Sequence, residues 1–285
     1  MGRLKKMVNN SKAPNEGTDW DLGGVSVIGF SHQENNIPCQ DAHAFRLTSH
    51  NEVIAAVADG AGSAKLSHEG AQAFVNAIVD HLSMIGDKHP LNLKNAEFIR
   101  SAIIESITAT RDELVSVSST ENSSDGGTLS ASSISLRDFH ATLVIAICGI
   151  ESGVFYHVGD GVGVAFSSNN PKTAEVSKPE NGEYANETYF VTEKNWEDHL
   201  RMTPFSGSAD IILLMSDGVS GMAMTKGCKE PAINFVSPLV KFLKNNNRET
   251  NELAVTNTVS KDSVRTITGD DKTLVWIIRN GNNKA

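Results

Sequence analysis

The sequence contains four apolar runs that each end or begin at an aspartate. These acids are Asp59 after residues 53–58, Asp160 after 154–158, Asp217 after 211–215, and Asp270 with Asp271 before 273–279. Short runs that are apolar at nearly every position are typical of strands buried on both faces. The sequence therefore predicts four buried strands, each of which presents a carboxylate at one end.

Aspartate followed by glycine is also a common hairpin signal. A hairpin needs a partner strand directly after the turn, but Asp59 and Gly60 precede a helical pattern, and no paired strand follows Asp217. Carboxylates that converge suit a hard divalent cation, because Mg²⁺ and Mn²⁺ prefer oxygen ligands. Two such ions about 4 Å apart could activate a water and stabilise a transferring phosphoryl group. This pattern indicates hydrolytic chemistry.

Composition argues against several classes of protein. A chain of 285 residues with 39% hydrophobic residues can bury one sizeable core. The 25 basic residues against 34 acidic ones give a net charge of -9, which offers no support for a nucleic-acid or acidic-membrane partner. No run approaches the roughly 20 apolar residues of a membrane span, so we expect a cytoplasmic protein. Three distant cysteines argue against disulfides or a thiolate metal site.

The pattern of elements predicts one domain at residues 23–280, between a flexible arm at 1–22 and a tail at 281–285. We expect strands at 25–30, 42–47, 53–58, 141–150, 154–158, 211–215 and 273–279. We also expect a helix whose apolar face runs from Ala71 to Leu82, and further helices at 95–115, 232–243 and 252–259. Residues 31–40 are predicted to be a polar loop, and Ser67 is predicted to cap the first helix. The polar, irregular stretch at 167–209 is predicted to be a structureless flap over the site.

Five motifs in this order carry a family resemblance. They are VADGAGSAKLSHEGA at 57–71, HATLVIAI at 140–147, YHVGDG at 156–161, LLMSDGVSG at 213–221 and GDDKTLVWI at 269–277, after CQDAH at 39–43. In this order they resemble the metal-dependent serine/threonine protein phosphatases of type 2C over about residues 23–278. The resemblance implies an α+β fold of two packed antiparallel sheets flanked by helices, with two Mg²⁺ or Mn²⁺ ions, and a third in some members.

The resemblance also implies roles for individual residues. Asp59 would bridge the two metals, with the Gly60 carbonyl as a further ligand. Asp217 and Asp270 would complete one metal, and Thr273 fixes the register that favours Asp270 over Asp271. The remaining two acids would be Asp41, which holds a water beside the metals and takes part in catalysis, and Asp160, which contributes to the third metal.

The chain departs from the family pattern at several positions. Gln40 stands where the family has a glutamate that binds the second metal, although an amide oxygen can still coordinate. Asn36 stands where a phosphate-binding arginine is expected, and His32 in the same loop could contact phosphate instead. Ala61 occupies a position where some relatives have a histidine.

The sequence therefore predicts a monomeric enzyme that hydrolyses phosphoserine and phosphothreonine in proteins, opposing a serine/threonine kinase, by direct attack of a metal-activated water. A small-molecule phosphohydrolase is an alternative, in which the 167–209 stretch shapes a closed pocket. A second alternative is a regulatory or binding protein that keeps the fold but is weak or inactive, for which Gln40 and the missing arginine argue. The presence of three acids, Asp59, Asp217 and Asp270, argues against it.

Overall fold

The computed structural model describes residues 19–121, 134–180 and 188–280, and these stretches form ten strands and seven helices. The strands are β1 (Trp20–Val27), β2 (Ala42–Leu47), β3 (Val53–Ala58), β4 (Leu143–Cys148), β5 (Ser152–Val158), β6 (Val162–Ser167), β7 (Asn170–Ser177), β8 (Arg201–Ser206), β9 (Ile211–Met215) and β10 (Lys272–Arg279). The helices are α1 (Phe30–Asn35), α2 (Ser67–Lys88), α3 (Ala96–Glu121), α4 (Asp217–Ala223), α5 (Ile233–Leu243), α6 (Arg248–Val259) and α7 (Asp262–Arg265). Residues 1–18 of the predicted arm and the tail at 281–285 lie outside the described residues. The prediction of an arm at 1–22 is wrong at its end, because residues 20–22 belong to β1.

The strands form two five-stranded sheets. The first sheet has the order β1-β10-β9-β6-β7 and the second has the order β2-β3-β4-β5-β8. Every neighbouring pair within them is antiparallel. Helices flank both sheets, so the predicted α+β architecture of two packed antiparallel sheets is confirmed.

The core between the sheets takes alternate residues from each central strand. Val53, Ala55 and Val57 of β3 belong to the same buried cluster as Val275 and Ile277 of β10. Successive side chains of a strand point to opposite faces of its sheet. The intervening residues of β3 and β10 therefore point away from the space between the sheets and need other elements to bury them.

Helices bury the outer faces of both sheets. On the second sheet, Ile54 and Ala56 of β3 cluster with Phe74 and Ile78 of α2. On the first sheet, α4, α5 and α6 cover the corresponding face. Because both faces of the central strands are buried, their sequences are continuously apolar even though the sheets are antiparallel. No helix in the described stretches is long and apolar enough to cross a bilayer.

The first strand differs from the prediction. β1 spans Trp20–Val27 rather than 25–30, and all eight of its residues pair with β10. Two glycines interrupt its apolar pattern, and Gly23 is needed because a Cβ there would lie 2.2 Å from the Trp276 ring. The loop predicted at 31–40 includes α1, which ends where Asn36 adopts a left-handed φ of 54°. The start of α2 also differs, because Leu66 is the N-cap and Ser67 is a buried residue of the first turn.

The 167–209 stretch is more regular than predicted. Its described part contains β7 at one edge of the first sheet, β8 at one edge of the second, and a 3₁₀ helix at Trp196–His199. Most of the β7 residues are exposed or half-buried, so its sequence lacks the apolar run of a central strand. Residues 181–187 lie outside the description, and the assignment of this stretch as a flap stays a prediction.

A buried histidine makes the stability of this fold sensitive to acid. The His157 side chain on β5 is fully buried, with Nδ1 3.1 Å from Ser177 Oγ on β7. Burial, followed by the charge of Arg201, lowers its pKa well below the ordinary value. The unfolded chain, in which histidine titrates near pH 6.5, therefore binds this proton first as the pH falls.

We expect His157 to reduce the free energy of unfolding below about pH 6.5, by up to about 1.4 kcal/mol per pH unit. Urea denaturation of the wild type and of His157→Asn between pH 7 and pH 5 measures this effect, because other titrating groups are common to both proteins. The variant should lose less stability over this range than the wild type. Identical losses would contradict the prediction.

Candidate active site

Four aspartates that are distant in sequence meet at one end of the sandwich. Asp59 follows β3, Asp160 precedes β6, Asp217 begins α4 directly after β9, and Asp270 precedes β10. All four border a single cavity of about 230 Å³, together with Thr142, Phe190 and other small or polar residues. The structure therefore brings together the acids at the strand ends that the sequence singled out.

A second cavity of about 360 Å³ adjoins the first. The two share Asp59, Gly62 and Asp270, and the second adds Ser31, His32 and Gly60. Together they form a continuous cleft, which we call the acidic cleft. His32 therefore lies beside the acids, as the sequence suggested.

Backbone hydrogen bonds fix Asp59 at the end of β3. Its N–H donates to Thr142 Oγ1 at 3.1 Å, and the Thr142 N–H donates to the Asp59 carbonyl at 2.8 Å. The next amide, of Gly60, donates to the Gln40 carbonyl at 3.1 Å. A Cβ on Gly60 would lie 2.8 Å from that carbonyl oxygen and from Ser67, so glycine is required by this close approach.

Asp41 lies deeper than the other acids, in a network that includes Ser216. The Ser216 hydroxyl donates to Asp41 Oδ2 at 2.7 Å and accepts from the Thr273 N–H at 3.0 Å. Burial raises the pKa of Asp41 to about 7, and the charges of Asp271 and Asp217 add to this effect. Its other oxygen, Oδ1, has no partner among the described residues. The sequence analysis missed Ser216, because no local pattern links it to Asp41.

The structure separates the two adjacent acids at the start of β10. Asp270 borders the cleft, whereas the side chain of Asp271 is buried and accepts hydrogen bonds from the Gly29 and Gln40 N–H groups, both at 2.5 Å. His32 Nδ1 lies 2.9 Å from Asp271 Oδ2. Asp271 thus attaches the chain on both sides of α1 to the start of β10, and Asp270 is the one available to a ligand.

Two further polar side chains surround these acids. Gln40 is buried, and its Oε1 has no partner among the described residues; it is the atom nearest to a Cβ built on Gly62, at 3.8 Å. Lys272, which the sequence analysis did not identify, is also buried and donates from Nζ to the Asp270 carbonyl at 2.5 Å. Burial lowers the pKa of Lys272, although nearby acids oppose this change.

Burial and mutual repulsion dominate the electrostatics of the cleft. Burial, and then the charges of Asp41, Asp217, Asp160 and Asp270, raise the pKa of Asp59 well above its ordinary value. Burial and the charge of Asp217 raise the pKa of Asp160 to about 6, and the pKa of Asp217 rises for similar reasons. A bound cation would relieve this repulsion.

The donor atoms fit a hard divalent ion. They comprise carboxylates, the Gly60 carbonyl and the unpartnered amide oxygen of Gln40, and such an oxygen-only set suits Mg²⁺ or Mn²⁺. In residues 19–121, 134–180 and 188–280, no group of three or more His, Cys, Asp or Glu side chains is already arranged to hold a metal ion. Mg²⁺ usually retains several waters and needs only one or two carboxylates, so the donors are compatible with it.

We expect Asp271→Asn to destabilise the fold. An amide offers only one acceptor oxygen, so one buried N–H of Gly29 or Gln40 loses its partner, and the free energy of unfolding should fall by about 1 to 3 kcal/mol. Urea denaturation measures this loss. Asp262→Asn, at a side chain that is 91% exposed, is the control and should leave the midpoint unchanged. Equal midpoints for the two variants would contradict the structural role of Asp271.

Comparisons with known proteins agree with this fold and sequence. The family model for protein phosphatase 2C matches residues 28–256. Serine/threonine-protein phosphatase 3 of Escherichia coli K12 is 26% identical over 262 residues, covering 90% of this chain and 96% of that protein.

Solved structures show the same fold at lower identity. The serine/threonine phosphatase Stp1 from Staphylococcus aureus has a TM-score of 0.58 at 15% identity, covering 95% of this chain and 99% of that one. PppA of Pseudomonas aeruginosa, a regulatory component of T6SS, has a TM-score of 0.57 at 12% identity, covering 92% and 99%. Since the family model spans most of the sequence, the chain belongs to the protein phosphatase 2C family.

Proposed function

We propose that this protein hydrolyses phosphoserine and phosphothreonine in proteins, using a water activated by divalent metal ions. The single observation that carries the proposal is the acidic cleft, in which four aspartates from separate strand ends border one space. Members of this family are in general metal-dependent. The substrate would be the product of a serine/threonine kinase, and we propose that the enzyme acts as a monomer.

The family resemblance and the places of these residues in the cleft together suggest which of them would hold metal ions. Asp59, the Gly60 carbonyl, Asp217 and Asp270 would be the main ligands, with Asp59 shared between two ions. Gln40 would offer its unpartnered Oε1 to the second ion, and Asp160 would contribute to a third. When bound, Mg²⁺ or Mn²⁺ would lower the pKa of a coordinated water and neutralise charge on the phosphoryl group.

The chain's own residues position the reactants. Asp41, held by Ser216, keeps Oδ1 free to accept a hydrogen bond from the attacking water. His32, whose Nδ1 side contacts Asp271, borders the same cleft and would donate to a phosphate oxygen in place of the arginine absent at Asn36. The water would attack phosphorus in line, and the phosphorus–oxygen bond to the serine or threonine would break without a covalent enzyme intermediate. One proton of the water would end on the released hydroxyl oxygen, and the other product would be inorganic phosphate.

We expect a phosphothreonine peptide to release phosphate in Mn²⁺ or Mg²⁺ and not in EDTA. Asp59→Asn and Asp217→Asn should each reduce kcat/KM by at least about a hundredfold, because each removes a charge that holds metal. Asp262→Asn, on the surface, should keep wild-type activity. Malachite-green measurement of free phosphate, with circular dichroism to establish that each variant is folded, provides the test.

The same assay distinguishes the two alternatives. Faster turnover of small phosphate esters than of any phosphopeptide would favour a small-molecule phosphohydrolase. No release from any substrate by a folded wild type at millimolar Mn²⁺ would contradict the enzymatic proposal and favour a regulatory or binding protein.

A further inference from the structure

One aromatic side chain stands in the wall of the acidic cleft. Phe190 borders the cavity that contains Asp59, Asp160, Asp217 and Asp270. Among the described residues that line the cleft, it is the only large apolar side chain. The other residues that line this cavity are acidic, small or hydroxyl-bearing. An apolar group of a molecule bound in the cavity would therefore contact Phe190.

A histidine supports this ring from behind. The imidazole of His140 stacks on Phe190 with ring centroids 4.8 Å apart and an interplanar angle of 16°. His140 Nδ1 lies 2.6 Å from the hydroxyl oxygen of Thr192, and the His140 carbonyl accepts from the Ala61 N–H at 2.9 Å. The stack is therefore tied directly to the loop that follows Asp59.

Backbone contacts fix the segment that carries Phe190. The Val191 N–H donates to the Ala141 carbonyl at 3.0 Å. The Arg111 guanidinium on α3 donates to the carbonyls of Val191 and Glu193 at 2.5 and 2.9 Å. Because the ring is held on one side and its segment on the other, little conformational entropy is lost when its cleft-facing side binds an apolar group.

We propose that Phe190, supported by His140, selects phosphopeptides that carry an apolar side chain next to the phosphoserine or phosphothreonine. This inference rests on the proposed function. The phosphate would lie among the acids and metals, and a neighbouring residue of the same peptide would lie against the exposed face of Phe190. An apolar side chain there loses contact with water, whereas a serine in its place gains nothing.

Three substrates test this assignment in the presence of Mn²⁺. Two are phosphothreonine peptides that differ only in having leucine or serine on both sides of the phosphothreonine, and the third is free phosphothreonine. We expect the wild type to prefer the leucine peptide by about tenfold in kcat/KM, the size of effect expected for one apolar contact. Phe190→Ala should remove this preference and leave turnover of free phosphothreonine within about twofold.

Three further variants keep the test specific. Phe190→Leu retains an apolar side chain and should keep most of the preference, which protects the test if Phe190→Ala folds poorly. His140→Leu removes the support, so it should reduce the preference without abolishing turnover of the serine peptide. Phe98→Ala, at a side chain that is 46% exposed on α3, removes a phenyl ring elsewhere and should change nothing.

The outcomes separate this inference from the proposed function. The inference would be overturned if the wild type hydrolysed all three substrates with equal kcat/KM for the two peptides. It would also be overturned if the preference for the leucine peptide persisted in Phe190→Ala. Both results would leave the proposed phosphatase activity standing. A loss of the same proportion on all three substrates in Phe190→Ala would also overturn it, because that is the effect of a structural role. Failure of the wild type on every substrate would overturn both.

Discussion

Burial of several neighbouring carboxylates, together with their mutual repulsion, is the constraint around which this end of the molecule is arranged. A carboxyl group whose pKa is one unit higher in the protein than in water is about 1.4 kcal/mol less stable in its charged form. Asp160, whose pKa rises from 3.8 to about 6, is therefore about 3 kcal/mol less stable as a carboxylate here than in water. These acids lower the stability of the fold when they are charged, and bound divalent cations would stabilise them as a group.

Hydrogen bonds from neighbouring strands and loops hold these acids in place. Thr142 holds the backbone of Asp59, and Ser216 joins Asp41 to the backbone of Thr273. Asp271 binds the chain before and after α1, at Gly29 and Gln40, so the connection between β1 and β2 is attached to the start of β10. The two sheets provide the rigid base for this network, because their central strands are buried on both faces.

Most central strands could be predicted from sequence because burial on both faces produces an unbroken apolar run. The strand β6, which is also central and buried, was not predicted, because Gly163 interrupts its apolar run. β3 and β9 begin and end at the predicted residues. β1 was misplaced because glycines, which its packing against Trp276 requires, interrupt the pattern. β7 and β8 were missed because edge strands expose polar side chains to water, which gives the composition of a loop.

In the site too, residues that belong to a local sequence pattern could be predicted, and residues that depend on tertiary contacts could not. Its acids were identifiable because each follows or precedes an apolar run. The partnership of Ser216 with Asp41 was not, because the two are 175 residues apart and only the packing of the sheets brings them together. The buried position of Lys272 and the stacking of His140 on Phe190 likewise depend on tertiary contacts that no local pattern reports.

Metal binding by the acidic cleft is the central claim, and calorimetric titration of the metal-free protein with Mn²⁺ measures it without relying on turnover. We predict that the wild type binds at least two ions per chain. Asp59→Asn, which removes the proposed bridging carboxylate, should remain folded and lose most of this binding. Absence of binding to the wild type at millimolar Mn²⁺, or unchanged binding in Asp59→Asn, would contradict the account.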